Sequence, residues 1–508
     1  MDVKQLERRV LVVGAGPAGL IAAYLLSKDG IAVTVIECDP QYVGGISRTV
    51  AYKDFLFDIG GHRFFSKSRE VEDLWNELLP DDILERPRST RICYNGALFS
   101  YPLKPFEALG KLGVFVSADC LLSYFKAKLR PIPNPVNFED WVTNQFGQRL
   151  YRIFFKTYTE KVWGMDCKDI SADWAAQRIK GLSLGSAILH ALFPRKPKSR
   201  DAVVKTLITS FRYPRRGPGM MWDAAARKTK ELGGTILMGQ KVIALDYDVP
   251  AGSWAVTCRD ADGAETTHSA THVISSAPLR SLVSSLSPPV SPSSLHAANA
   301  LKYRDFLTVA VILKDRGVFA DNWIYIHDPS VKVGRIQNFK SWSPDLVPDP
   351  TMCCYGMEYF CFENDGLWSR SDEDLLRLAQ KELVTLGLAD AADFVDGCVV
   401  RQPKAYPVYD AEYAAHVETI RCELEERFPS LYLVGRNGMH KYNNQDHAMM
   451  TAMLTAANII AGERRYDVWN VNGDAEYHEA GESGARTLSS VEKDLPGGLL
   501  LVPTTIRS

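Results

Sequence analysis

Three glycines near the start of the chain have the spacing of a phosphate-binding turn: Gly14, Gly16 and Gly19. In this pattern the first glycine allows a tight turn, the second lets the backbone approach a pyrophosphate, and the third lets a helix pack on a strand. They follow the apolar run Arg9–Val13 and open a segment, Pro17–Lys28, that is predicted to be helical. A pyrophosphate would therefore lie at a helix N-terminus, where unpaired amides favour negative charge.

An acidic residue and a second glycine cluster extend this pattern. The apolar run Ala32–Ile36 ends at Glu37, where a carboxylate can accept hydrogen bonds from both ribose hydroxyls of an adenosine. Further on, the motif FDIGGHRFF places Gly60 and Gly61 directly before His62. The first glycine turn alone predicts a dinucleotide, whereas the whole series indicates a flavin. The alternative for the second cluster is a tight turn followed by a packed polar histidine.

Length and charge are those of a large enzyme that does not bind nucleic acid. A chain of 508 residues exceeds one ordinary hydrophobic core, so we expect two or three compact regions. The formal net charge of -2 gives no overall basic field. The charged start MDVKQLERR leads directly into the first strand, and no apolar run reaches the roughly 18 residues that cross a membrane. Neither a signal peptide nor a transmembrane segment is expected.

The ten cysteines form no CxxC pair and no Cys/His cluster with zinc spacing. We therefore expect no metal site, and reduced thiols in a cytoplasmic protein. Cys353 and Cys354 are adjacent within a predicted strand, so their side chains should point to opposite faces.

The segment at residues 106–129, FEALGKLGVFVSADCLLSYFKAKL, predicts an amphipathic helix with a basic end. The first interpretation is a helix that faces the core. The alternative is a helix for a membrane surface or a partner.

The order of elements predicts an α/β fold whose nucleotide-binding domain is discontinuous. Strand patterns such as KVIALDYD and THVISSAP return after a largely helical stretch, and LYLVGRNG followed by an apolar helix closes the chain's ordered part. We predict a Rossmann-type FAD-binding domain from residues 1–98, 200–300 and 431–463. A helical substrate-binding insertion would span 99–199, an antiparallel sheet-rich substrate region 301–430, and a polar C-terminal extension 464–508.

Five motifs carry a resemblance to a known family. They are DIGGHRFFSK at 58–67, FEDW with EKVW at 138–163, WAAQR at 174–178, RYPRRGPG at 212–219 and GRNGMHKYNNQDH at 435–447. The chain resembles the UDP-galactopyranose mutases, especially their eukaryotic-type branch, over about residues 8–463. The wider fold is shared with amine oxidases and protoporphyrinogen oxidase.

The resemblance implies an isomerase that uses reduced FAD as a nucleophile. N5 of the flavin would attack the anomeric carbon of a nucleotide sugar, and the pyranose and furanose forms would interconvert without net redox change. Because the flavin must first be reduced, NADPH or NADH is a candidate reductant. The implied partner is a nucleotide sugar, and the implied process is carbohydrate biosynthesis.

The resemblance also assigns residues to roles. Catalysis is assigned to His62 beside the flavin and to Arg178 and Arg335 on the diphosphate. The residues expected to bind the cofactor are Gly14, Gly16, Gly19, Glu37, Gly45, Arg48, Gly60, Gly61, His62, Arg91, Val242, Gly435, Arg436, Asn444 and Gln445. Those expected to bind the substrate are Phe65, Tyr101, Lys104, Thr159, Trp163, Arg178, Trp323, Arg335, Tyr406 and Tyr442.

Two departures leave the nucleotide base and the sugar open. Lys104 and Thr159 stand where the eukaryotic-type enzymes have Gln and Asn, and KYNNQDH is two residues shorter between its tyrosine and NQDH. Trp323 could equally be a core residue. A rival function is an FAD-dependent oxidoreductase that acts on a small or apolar substrate, and a second is a non-catalytic flavoprotein in a glycan-synthesis assembly. The oligomeric state stays open.

Overall fold

A five-stranded parallel sheet forms the centre of the nucleotide-binding region. The computed structural model describes residues 8–101, 103–170, 172, 209–363 and 365–471. In spatial order the strands of this sheet are Leu431–Leu433, His272–Ser275, Arg9–Val13, Ala32–Ile36 and Thr235–Leu237. All neighbouring pairs are parallel. The predicted fold class is confirmed, because strands far apart in the chain complete one sheet.

Four helices cover one face of this sheet: Pro17–Lys28, Arg69–Leu78, Gly219–Glu231 and Gln445–Ala461. Leu20, Trp75, Trp222 and Met449, one from each helix, belong to the same buried cluster. The cluster also contains Val10 and Val12 of the central strand, so burial of apolar surface holds helices and sheet together.

A seven-stranded, mostly antiparallel sheet forms the second region. Its strands in spatial order are Phe394–Pro407, Tyr303–Lys314, Met352–Cys361, Arg335–Asn338, Trp323–Ile326, Thr90–Tyr94 and Ala97–Ser100. The predicted boundary at residue 98 therefore falls inside the last hairpin of this sheet. Helix Asp372–Thr385 packs on one face, and short helix Phe339–Trp342 on the other. Cys353 and Cys354 point to these opposite faces, as alternation along a strand predicts.

Smaller elements flank the two large sheets. Lys241–Asp248, Ser253–Arg259 and Glu265–Ala270 form an antiparallel meander that Leu286–Ser287 extends. Helices Leu279–Ser284, Pro292–Ala300 and Tyr413–Arg427 pack beside it. Two further strand pairs are Thr49–Tyr52 with Phe55–Asp58, and Ile83–Pro87 with Ser210–Pro214.

The described part of the predicted helical insertion ends at residue 172. Its helices are Pro105–Leu112, Val114–Leu129, Phe138–Phe146, Gln148–Tyr151 and Thr157–Trp163, with a π-helical turn, Arg152–Lys156, between the last two. Gly147 ends one helix with φ of +81°, and a Cβ there would lie 2.6 Å from the Tyr124 nitrogen. Within the described ranges, no helix is both long and apolar enough to span a bilayer.

Candidate active site

One cavity of about 960 Å³ lies where the two large sheets meet. Val13, Ile36, Ser276 and Gly435 line it, and each lies at or just beyond the carboxyl end of a parallel strand. Arg335 and its neighbours on the antiparallel sheet form the opposite wall. Ligands of open α/β sheets bind at this edge, and the volume suits an extended cofactor together with part of a substrate.

The three glycines of the first turn have different surroundings. Gly14 has φ of +95°, and a Cβ there would lie 2.4 Å from Ser276 Oγ. A Cβ at Gly19 would lie 1.9 Å from the carbonyl oxygen of Gly14. A Cβ at Gly16 would meet no protein atom within 4 Å, and Gly16 lines the cavity. The space beside Gly16 is therefore part of the cavity and is not filled by protein atoms.

Glu37 is held at the second strand end by the backbone. Its Oε2 accepts from the N–H of Ala15 at 2.6 Å, and its Oε1 accepts from the N–H of Asp39 at 2.8 Å. Oε1 also accepts from Cys38 Sγ at 3.3 Å, so Oε2 is the oxygen that keeps a further lone pair for a ribose hydroxyl. Nearby, Arg48 Nη1 donates to the carbonyl of Gly45 at 2.9 Å and to Gln402 Oε1 at 2.7 Å.

The second glycine cluster brings His62 into the cavity wall. Gly60 has φ of +89°, and a Cβ on Gly61 would lie 2.9 Å from Gln337 Nε2. His62 Nδ1 is 3.1 Å from the carbonyl oxygen of Gly60. Because a carbonyl only accepts, Nδ1 carries the proton and Nε2 is left as an acceptor.

His62 is neutral at physiological pH. Burial, reinforced by the positive charges of Arg436 and Arg335, lowers the pKa of His62 to about 3. The imidazole therefore adds no positive charge to the site, and any role in catalysis at neutral pH is that of a hydrogen-bonding group.

Arg335 is a fixed cation of the opposite wall. Its Nε donates to Glu358, which lies directly opposite on the adjacent strand, and Gln337 Nε2 donates to the same carboxylate at 2.7 Å. Burial lowers the pKa of Arg335, but Glu358 together with the nearby tyrosines, chiefly Tyr158, outweighs burial and holds the pKa well above its ordinary value. The guanidinium is thus charged and oriented before any ligand binds.

A second cation lies beside two stacked tyrosines. The Tyr406 and Tyr442 rings stack at 5.6 Å, and Arg436 Cζ is 5.0 Å from the centre of each. Arg436 Nε donates to the carbonyl of Asn443 at 3.0 Å, and Nη1 to that of Ala405 at 3.1 Å. Paired cations and phenols of this kind suit a diphosphate.

The residues present fit FAD. Gln445 begins helix Gln445–Ala461, and Asn444 is its N-cap, so a helix N-terminus faces the cavity. Gln445 Oε1 and Trp323 Nε1 are buried without a hydrogen-bond partner in the described part of the chain. Together with the glycine turn and Glu37, these groups offer sites for the pyrophosphate, the ribose and a polar ring system.

Most of the predicted site residues line this one cavity: Gly14, Gly16, Glu37, Gly45, Arg48, Gly61, His62, Phe65, Val242, Trp323, Arg335, Tyr406, Gly435, Arg436, Tyr442, Asn444 and Gln445. Gly19 and Gly60 lie directly behind its wall. Arg178 lies outside the described residues.

The remaining predicted residues lie elsewhere. Arg91, Tyr101 and Lys104 line a separate cavity of about 560 Å³, where Arg91 Nε donates to Asp321 Oδ2 at 2.8 Å. The Tyr101 ring lies 5.3 Å from that of Tyr325, which lines the main cavity. Thr159 and Trp163 are buried in the helical region.

Sequence reasoning missed Gln337 and Glu358, which orient the Arg335 wall. The signal for Gln337 was present, since residues two apart on a strand share a face. Glu358 stands out as an acid within the otherwise apolar strand Met352–Cys361, but its pairing with Arg335 depends on the sheet register. No group of acids, cysteines and histidines that could hold a metal occurs among the residues described.

A buried acid behind the glycine doublet gives a testable pH effect. Asp58 accepts from Tyr213 Oη at 2.6 Å and Thr49 Oγ1 at 3.2 Å, and burial raises its pKa to about 8. The folded state therefore keeps a proton that the unfolded chain loses near pH 4, and stability falls as pH rises from about 4 to about 8. Between pH 5 and pH 8, we expect the free energy of unfolding to fall by about 3 kcal/mol less in Asp58→Asn than in the wild type.

Urea unfolding at both pH values measures the effect, with the exposed Asp262→Asn as control. Equal pH dependence in Asp58→Asn and the wild type would show that Asp58 is ionised in the folded protein.

The sequence matches one protein family over most of its length. The sequence profile of flavin-containing amine oxidoreductases matches residues 17–460. A probable UDP-galactopyranose mutase of Klebsiella pneumoniae is 28% identical over 179 residues, 33% of this chain and 44% of that protein. A dTDP-fucopyranose mutase of Escherichia coli is 27% identical over 32% of this chain and 44% of its own length. The chain thus matches less than half the length of either mutase.

Two further relatives match over most of the chain. Protoporphyrinogen oxidase 2 of Arabidopsis thaliana is 24% identical over 85% of this chain and 90% of its own length. Among solved structures, a reduced UDP-galactopyranose mutase superposes with a TM-score of 0.78 at 21% identity, covering 93% of this chain and 99% of its own. At this identity the structural match establishes the fold alone.

Proposed function

The chain belongs to the flavin-containing amine oxidoreductase family, and from that premise we propose that it is a flavin-dependent nucleotide-sugar mutase that interconverts pyranose and furanose forms. One observation carries the proposal. Arg335 and Arg436, with stacked Tyr406 and Tyr442, line the same cavity as the glycine turn and the neutral His62. A diphosphate would bind there within reach of the flavin.

The two arginines bind and orient the diphosphate. Arg335 is held by Glu358, and Arg436 by two backbone carbonyls, so both guanidinium groups keep N–H donors for phosphate oxygens. Fixed cations also stabilise the charge that develops on a departing diphosphate. Arg178, which the family resemblance assigns to the same group, is a further candidate.

The opposite wall orients the cofactor. The helix N-terminus at Asn444 and Gln445 and the acceptor Nε2 of His62 would contact the ring system. When bound and reduced, FAD supplies the nucleophile for the anomeric carbon, and no net oxidation occurs. The protein then contributes orientation and electrostatics, which explains why no acid–base pair with hydrolase character is required. NADPH or NADH as the reductant stays a prediction.

A second candidate is an FAD-dependent oxidoreductase. The match to a protoporphyrinogen oxidase over 85% of the chain favours it. Two partly buried cations facing the flavin side of a cavity are costly to desolvate and offer nothing to an apolar substrate. The charge of the site therefore favours the mutase.

Turnover with reduced and oxidised flavin separates the two functions. We expect the dithionite-reduced protein to convert at least one member of a panel of UDP-, dTDP- and GDP-hexoses and pentoses into its furanose isomer, as measured by liquid chromatography. The oxidised protein should be inactive on the same panel, and dithionite without protein is the control. Turnover only with oxidised flavin and an electron acceptor would favour the oxidoreductase instead.

A further inference from the structure

The outward face of helix Val114–Leu129 is apolar. Phe115, Leu122 and Leu129 recur every seven residues and are 92%, 70% and 82% exposed, and Val114 and Phe125 of the same helix are exposed as well. Single exposed apolar residues are common, but a contiguous apolar face marks an interaction site. We call these five helix residues the apolar face.

The helix is fixed in place by its opposite side. Cys120, Tyr124 and Ala127 are buried there, and the Gly147 turn approaches the Tyr124 backbone closely. Arg149 also pairs with Asp119 at 3.1 Å. One side of the helix faces the core, as the first interpretation from the sequence predicts, and the other side is exposed.

Three basic residues border the apolar face, and Lys128 Nζ lies 5.6 Å from the centre of the Tyr124 ring. Lys126, Lys128 and Arg130 are exposed at the C-terminal end of the helix and make no ion pair with any described residue. The nearby acids are already paired, Asp119 with Arg149 and Glu107 with Lys111 at 2.6 Å. The border therefore has a positive charge that no ion pair among the described residues neutralises.

We propose that the apolar face docks on an anionic lipid surface. Its apolar side chains would enter the boundary between headgroups and acyl chains, while the three basic residues meet lipid phosphates and carboxylates. A second copy of this chain fits the apolar face less well than an anionic lipid surface. Its own apolar face is bordered by the same cations, and Asp119 and Glu107 beside it are already paired. This proposal rests on the helix alone and is independent of the proposed activity.

Vesicle flotation of the full-length holoprotein tests the proposal. We expect the wild type to float with vesicles of phosphatidylcholine and phosphatidylserine, and to bind phosphatidylcholine alone far more weakly. The triple variant Phe115→Ser/Leu122→Ser/Leu129→Ser should lose about tenfold or more of the binding. The charge-reversed variant Lys126→Glu/Lys128→Glu/Arg130→Glu should lose the preference for phosphatidylserine.

A matched control removes the same number of exposed apolar side chains from elsewhere. Val249→Ser/Val384→Ser/Val395→Ser should float like the wild type, and flavin absorbance should be unchanged in every variant. The proposal is overturned if the wild type binds neither vesicle, or if the apolar variant binds as well as the control. It is also overturned if ultracentrifugation shows a wild-type oligomer that the apolar variant dissolves while vesicle binding is absent, since the face would then join copies of this chain.

Discussion

Arg335→Lys should lower kcat/KM about a hundredfold while the protein stays folded and keeps its flavin. Lysine retains the positive charge that the buried Glu358 requires, but it loses the planar fork that binds phosphate oxygens in pairs. Arg335→Ala should cost more, about a thousandfold. It should also destabilise the fold by about 3–5 kcal/mol, because Glu358 is left as an unpaired buried charge.

Steady-state rates with the reduced enzyme, flavin absorbance and urea unfolding separate these effects. Arg304→Lys is the matched control: Arg304 is also buried in the seven-stranded sheet, where it donates to backbone carbonyls, but it does not line the cavity. Like Arg335→Lys, Arg304→Lys should stay folded and keep its flavin, but its kcat/KM should stay at the wild-type value. A near-normal rate in Arg335→Lys would remove Arg335 from the diphosphate site.

Gly19→Ala should prevent flavin binding by displacing a helix. Its Cβ would lie 1.9 Å from the carbonyl oxygen of Gly14, and neither backbone can move without separating helix Pro17–Lys28 from strand Arg9–Val13. We expect a loss of about 3 kcal/mol or more in unfolding free energy and a protein that purifies without flavin absorbance.

Gly16→Ala tests the glycine of the same turn that faces the cavity. The new methyl group meets no protein atom within 4 Å and the backbone φ of -74° suits alanine, so the apoprotein should unfold at the wild-type urea concentration. Flavin affinity should nevertheless fall about tenfold or more, because the pyrophosphate would approach the backbone there. Titration of the apoprotein with FAD measures it, and wild-type affinity in Gly16→Ala would place the pyrophosphate elsewhere.

Local elements were predictable from the sequence. The strands Arg9–Val13 and Ala32–Ile36 and helix Pro17–Lys28 have the bounds that their apolar pattern and glycines indicate. The return of the chain to one parallel sheet was also predictable, because short apolar strands that exit into small residues need such a sheet. In contrast, the assignment of Thr90–Tyr94 and Ala97–Ser100 to the antiparallel sheet was missed, since their partner strand lies more than 200 residues away.

The sequence by itself determined the nucleotide turn, the fold class and the residue types of the site, because hydrogen-bonding geometry and side-chain periodicity are local properties. Only the tertiary structure decided that Glu358 holds Arg335, that burial, reinforced by two arginines, keeps His62 neutral, and that Arg91 and Lys104 line a different cavity. It also decided which side of helix Val114–Leu129 faces outward. These outcomes depend on strand register and helix packing. Both are set by many contacts between residues that lie far apart in the chain.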